Sequence, residues 1–159
     1  MEQPRRKNLR LQGYDYSTHG AYFITICTEG KRSLLGNVVG GDDHIAPRTR
    51  LSEYGLVVER YLQGIRGLDQ YVIMPNHIHM VIVVDGTAEG PMWSSAPTSV
   101  SHRIRSFKTL VTKELGCNLW QRSFYDHVIC DEADYLRITE YIIENPAKWM
   151  EDRYYVPEE

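Results

Sequence analysis

The order of patterns along the chain is strand, helix, strand, strand, helix, strand, and it predicts an α+β, ferredoxin-like (RRM-like) domain. Three observations carry this. Runs rich in β-branched and aromatic residues occur at about 21–28, 68–74, 77–84 and 124–130. Stripes of apolar residues at helical spacing fall between them, at about 52–65 and 99–115. A further helical stripe, 131–145, follows the last strand. Such an order gives an antiparallel sheet with helices on one face. The other face stays open for a ligand or for the added C-terminal helix.

In order, residues 1–20 are polar, basic and aromatic without a period, and read as an arm. Ala21 to Thr28 reads as a strand stopped by Glu29-Gly30. Residues 33–39 suit a short hairpin extension, and 40–50, with Gly40-Gly41 and Pro47, read as a loop. Ser52 is placed to cap a helix over 52–65, striped by Leu56, Val57, Tyr61, Leu62 and Ile65. Leu68 to Met74 is a strand, Pro75-Asn76 breaks the pairing, and residues 77–84 are the next strand. A Gly-, Pro- and Ser-bearing loop covers 86–98. Thr98 or Ser99 then caps a helix to about Leu115, with Ile104, Phe107, Leu110 and Val111 on one face and Gly116 as its C-cap. After the last strand, Asp131-Glu132-Ala133-Asp134 opens a helix whose acidic first turn suits the helix dipole. Pro146 disfavours helical geometry at Asn145 and ends it, and a short helix over about 147–153 is expected beyond.

The 159 residues suit one domain with a proper core, and there is no internal repeat. No apolar run approaches the ~20 residues of a membrane span. The charges at the start are followed by no apolar segment, so a signal peptide is not expected and the expected location is cytoplasmic. Cys27, Cys117 and Cys130 are odd in number and widely spaced, which argues against a disulfide framework or a structural zinc site. The net charge of −3 weighs mildly against DNA binding, yet the cations cluster. Arg5, Arg6, Lys7 and Arg10 lie in the arm; Arg103, Arg105, Lys108 and Lys113 lie on the second helix.

His77 and His79 stand two apart in an apolar strand, so both imidazoles project from one face while Ile78 points to the other. A pair like this is half of a metal site, or an ordinary pair of partly buried histidines near a strand end. On the last helix, Tyr141 and Asn145 are four apart and share a face. If that face meets the histidines, two imidazole nitrogens and an amide oxygen suit Mg²⁺ or Mn²⁺, with positions left for phosphate oxygens. The phenol would then be the nucleophile toward a phosphodiester. Spacing alone equally allows Tyr141 a packing role.

The stretch Val72-Ile73-Met74-Pro75-Asn76-His77-Ile78-His79 resembles the signature of the single-tyrosine HUH transposases (HUH for His–hydrophobic–His). Gly13-Tyr14-Asp15-Tyr16-Ser17, Ser106-Phe107-Lys108-Thr109, Leu119 to His127 and Tyr141 to Trp149 resemble further blocks of its REP-associated branch, in order over nearly the whole chain. The resemblance implies a ferredoxin-like fold and a divalent-metal-dependent nuclease and strand transferase for single-stranded DNA carrying hairpin-forming palindromic repeats. It carries the histidine pair onto His77 and His79, the nucleophile onto Tyr141 and the third ligand onto Asn145. The tyrosine would keep the 5′ phosphate and release a 3′ hydroxyl, with no nucleotide cofactor. Cys130 departs from the pattern, standing where relatives tend to be basic.

Arg105, Lys108 and the basic arm with Arg5, Arg6, Lys7 and Arg10 are candidate contacts to DNA phosphates. Trp120, Phe124 and Tyr125 suit base stacking, although packing is expected for at least two of them. His19, His44, His102 and His127 form no same-face pair with the histidine strand. Two other functions compete: a hairpin-binding protein that does not cleave, and a metal hydrolase working through water. The chain is expected to act as a monomer or a homodimer.

Overall fold

The computed structural model describes residues 20–42, 44–84 and 100–157. The arm with Arg5, Arg6, Lys7 and Arg10, the 86–98 loop and the capping residue before the second helix lie outside these. Four strands, β1 (Gly20–Cys27), β4 (Leu68–Met74), β5 (His77–Val84) and β6 (Tyr125–Ile129), form one sheet in the order β4-β5-β1-β6. Every pairing in it is antiparallel. With α1 (Glu53–Leu62), α2 (Val100–Leu115) and α3 (Glu132–Glu144), this is the ferredoxin-like order read from the sequence.

Strand alternation divides the sheet into two faces. Tyr22, Ile24 and Ile26 of β1 and Ile78, Met80 and Ile82 of β5 share one core with Val58 and Leu62 of α1 and Ile104, Phe107 and Val111 of α2. The expected stripe holds at Tyr61, Leu62 and Ile65, but its first turn is carried by buried Gly55 and Val58, while Leu56 is 58% exposed. Gly55 lets α1 pass so close to the preceding chain that a Cβ there would lie 2.1 Å from the Leu35 carbonyl oxygen. The helix stops at Leu62, and Ile65 reaches the same core from the turn beyond it. Ser52 caps α1, its Oγ accepting from the Gly55 N–H at 3.1 Å.

The second face takes the added C-terminal helix, one of the two occupants expected for it. Ile138 and Ile142 of α3 pack on Phe23 and Val81. Burying each isoleucine contributes about 2 kcal/mol, which fixes the helix against the sheet. Asp131 caps α3 by accepting from the Asp134 N–H at 2.8 Å.

Two local expectations change. The segment read as a loop contains β3 (Arg48–Leu51), which pairs with β2 (Gly36–Val39) in a separate two-stranded sheet. β3 is polar and half exposed, so no apolar run announces it. Beyond α3 there is a 3-10 turn at Trp149–Glu151, and the chain then runs back toward β5. Cys27, Cys117 and Cys130 are all free thiols. Among the described residues, no helix is long and apolar enough to cross a membrane.

Candidate active site

His77 and His79 open β5 on the α3 side of the sheet, opposite Cys27 and Thr25 of β1. Both are buried. Their Nε2 atoms face each other at 3.1 Å, and each Nδ1 is held from behind. Behind His77 stands Asn76, whose Oδ1 lies 2.8 Å from His77 Nδ1. The Asn76 amide nitrogen donates to the carbonyls of Lys31 at 3.1 Å and Tyr154 at 2.7 Å. Both amide hydrogens are thus used, and the amide can only be oriented with its oxygen toward His77. His77 must therefore donate from Nδ1, which leaves its Nε2 lone pair bare. Thr25 Oγ1 lies 2.7 Å from His79 Nδ1. A hydroxyl both donates and accepts, so this partner serves either tautomer of His79.

The turn carrying these residues is pinned from outside. The Leu35 N–H donates to the Pro75 carbonyl, and the Thr28 N–H to that of Asn76, each at 2.9 Å. Asn76 was legible in the sequence only as a break between strands; its three hydrogen bonds are what set the histidine.

From α3, Tyr141 brings its hydroxyl to 3.3 Å from His79 Nε2, with its ring edge-on to Phe23. The expected companion, Asn145, is 2% exposed and donates from Nδ2 to Asp152 Oδ2 at 3.2 Å. Its Oδ1 is buried and, among the described residues, has no hydrogen-bond partner. Asp152 is the member of the cluster that the sequence did not reveal. Its Oδ2 lies 4.0 Å from His77 Nε2, and its Oδ1 accepts from the Tyr154 N–H at 2.7 Å. One ligand atom from each of His77, His79 and Asp152 falls within 4.8 Å of the others, an arrangement compatible with a divalent metal. Trp149 and Tyr154 place their rings 5.9 Å and 4.5 Å from that of His77.

Burial dominates the electrostatics. It pushes His77 down to about 3, opposed by the neighbouring Asn145 amide and helped by Arg153 and Lys31. His79 is held well below its ordinary value by burial and then by His77. Both imidazoles are therefore neutral near pH 7, the state in which nitrogen is a ligand. Burial and the Asp152 charge raise Tyr141 above the usual phenol value, against the Asn145 hydrogen bond and Arg153.

The remaining candidates go elsewhere. Arg105 is exposed on α2, in the helix layer across the sheet from the histidines. Lys108 donates its ammonium to the carbonyls of Gln121 at 2.9 Å and Ser123 at 3.3 Å, and so ties that loop to α2. Trp120 and Phe124 are core residues, while Tyr125 is half-buried beside Tyr141 and Arg153 in a cavity of about 420 Å³. His127 pairs with Asp134 at 2.8 Å, and the departing residue, Cys130, is exposed.

No protein-family model matches the chain. An uncharacterized protein of Haemophilus influenzae is 33% identical over 175 residues, covering 95% of this chain and 93% of that protein. A REP-associated tyrosine transposase of Escherichia coli is 24% identical over 134 residues, 84% of this chain and 70% of its own length. The chain is thus similar in sequence to a REP-associated tyrosine transposase. The fold agrees: a solved REP-associated tyrosine transposase, bound to a REP hairpin, superposes with a TM-score of 0.61 at 22% identity, covering 94% of this chain and 74% of that one. In this chain the strand–turn–strand unit at 68–84 and α3 bring together all four residues that the resemblance singled out.

Proposed function

We propose that this protein nicks and rejoins single-stranded DNA beside hairpin-forming repeats, with Tyr141 as nucleophile and a divalent metal, Mg²⁺ or Mn²⁺, held by His77 and His79. The observation that carries this reading is the pair of imidazole Nε2 atoms converging at 3.1 Å with the Tyr141 hydroxyl 3.3 Å from one of them. Neighbouring donors around an octahedral ion with bonds of ~2.1 Å stand ~3.0 Å apart, so the spacing of the nitrogens suits such an ion. The unpartnered buried Oδ1 of Asn145 and the Asp152 carboxylate supply the oxygen donors that Mg²⁺ and Mn²⁺ favour. When bound, the ion would act as a Lewis acid on the scissile phosphate.

This chain's own residues do the rest. Asn76 keeps the His77 lone pair available, and Phe23 and Ile138 help wall the cavity in which a phosphate would lie beside Tyr141. The Tyr141 oxygen attacks phosphorus and gives up its proton as the new O–P bond forms. The P–O3′ bond breaks, the 5′ phosphate stays on Tyr141, and the departing oxygen takes up a proton to become a 3′ hydroxyl. That hydroxyl, or another, reverses the attack and rejoins the strand.

The test is to incubate the protein with hairpin-bearing single strands and Mn²⁺, and to search by mass spectrometry for a Tyr141–DNA adduct. The adduct is expected from wild type and not from Tyr141→Phe. Turnover that survives Tyr141→Phe would instead support hydrolysis through water. A second reading, hairpin binding without cleavage, draws on the burial of His77 behind Tyr154 and Trp149. It expects equal hairpin affinity with and without metal, and no adduct.

A further inference from the structure

Two cavities flank the histidine–tyrosine cluster, and Arg153 lines both. One, about 420 Å³, contains His79, Tyr141 and Arg137. The other, about 360 Å³, contains Thr25, Lys31, Gln121 and Tyr154. Tyr125 also belongs to both, so the two depressions adjoin along the line from Tyr125 to Arg153.

The charge in this region is unusual for a chain of net charge −3. Among the described residues, no Asp or Glu lines either cavity. Arg153 lies 5.7 Å from the Tyr125 ring centroid and 4.9 Å from that of Tyr154, and it donates to the Tyr154 hydroxyl at 2.8 Å. Lys31 stands 5.7 Å from the same Tyr154 ring. Among the described residues neither cation forms an ion pair, although Arg137 and Lys148 on the α3 side both do. Both are exposed, so their charges are held over aromatic rings while their remaining hydrogens face solvent. Unpaired cations interleaved with tyrosines in an acid-free trough are the physical requirement for an unpaired polynucleotide: phosphates for the cations, base faces for the rings.

We infer that the second cavity is the seat of the unpaired strand adjoining the scissile phosphate, and that Arg153 and Lys31 grip its backbone as it passes from Tyr141 toward Gln121. This rests on the DNA-processing reading and adds which part of the substrate binds where. Arg153 is a positioning residue: it holds the strand on which Tyr141 acts.

The test uses the full chain carrying Tyr141→Phe, so that nothing is cleaved, and follows fluorescence anisotropy with two probes. One is a blunt hairpin; the other is the same hairpin with unpaired tails of several nucleotides on both sides. The tails are expected to tighten binding. Arg153→Ala and Lys31→Ala should each weaken the tailed probe about fivefold to tenfold and leave the blunt probe within about twofold. Each should also reduce the slope of log affinity against log salt by about 0.7, the value for one phosphate contact on a single strand. Arg153→Lys should restore the slope, since it keeps the charge. Both residues are exposed, and an unchanged melting temperature checks that the variants fold. Equal losses on blunt and tailed probes, or no loss on either, would overturn the inference while leaving the function intact. Failure of the parent protein to bind either probe would remove the function itself.

Discussion

Replacing Asn76 with alanine tests whether the histidine pair is set from behind. The side chain is 0% exposed and makes three hydrogen bonds, to His77 Nδ1 and to the carbonyls of Lys31 and Tyr154. Each is worth about 1 kcal/mol net, and the buried partners left unpaired add to the loss. The expected destabilisation is about 3 kcal/mol, a fall in Tm of about 6–12 °C for a chain of this length. A second effect is separable from the first. Without its acceptor, His77 is free to carry its proton on Nε2, and affinity for Mn²⁺ should fall about 10- to 100-fold. Asn76→Asp gives the contrast, since it keeps an acceptor for His77 and loses both amide donors. Stability should drop again while Mn²⁺ binding is largely retained. Urea unfolding and calorimetric titration with Mn²⁺ measure the two quantities. An Asn76→Ala protein with stability within about 0.5 kcal/mol of wild type and unchanged Mn²⁺ affinity would refute the reasoning.

Three further outcomes follow from the packing. His77 titrates near 6.5 when unfolded and about 3 when folded. The unfolded chain therefore binds more protons between those values, and stability is full above about pH 6.5 and lost as pH falls toward 3. The slope is about 1.4 kcal/mol per pH unit for this group, with His79 acting in the same direction. Urea midpoints of the metal-free protein that stay flat from pH 7 to 4 would contradict this. Gly55→Ala, which propensity alone would make stabilising by about 1 kcal/mol, should instead lower Tm, because the new Cβ would meet the Leu35 carbonyl oxygen. Finally, Cys27 is buried and its thiol is pushed up to about 11, whereas Cys117 and Cys130 are exposed. Iodoacetamide at pH 8, followed by mass spectrometry, should modify those two readily and Cys27 only on unfolding.

What the sequence made legible was whatever has a period. The two-residue spacing of His77 and His79 and the four-residue spacing of Tyr141 and Asn145 each put a pair on one face, and the structure joins the pairs. The sheet and its three helices were readable for the same reason. Asp152 was not, because it lies in irregular chain past a 3-10 turn, where no repeat says which way a side chain turns. Asn76 carried only its ordinary turn signal, since its two carbonyl partners lie 45 and 78 residues away. β3 was hidden because alternation between arginines and half-buried residues, beside Gly40-Gly41 and Pro47, looks like a loop. In α1, Leu56 looked like a core residue by type, while the glycine before it is the one in contact with the neighbouring chain.

The position of β5 has a consequence for which parts of the cluster come apart first. Its backbone is hydrogen-bonded on both sides, to β4 and to β1, whereas α3 rests on the sheet through one small apolar cluster and a few side-chain ties such as His127–Asp134. Proteins open in units whose free energies differ, and elements resting on few buried contacts open before central strands do. In hydrogen exchange, the amides of His77 and His79 belong with the last to exchange, and those around Tyr141 with an earlier class. The histidine pair is thus a fixed anvil, and the tyrosine rides on a piece of the molecule that can lift away from it without the sheet unfolding.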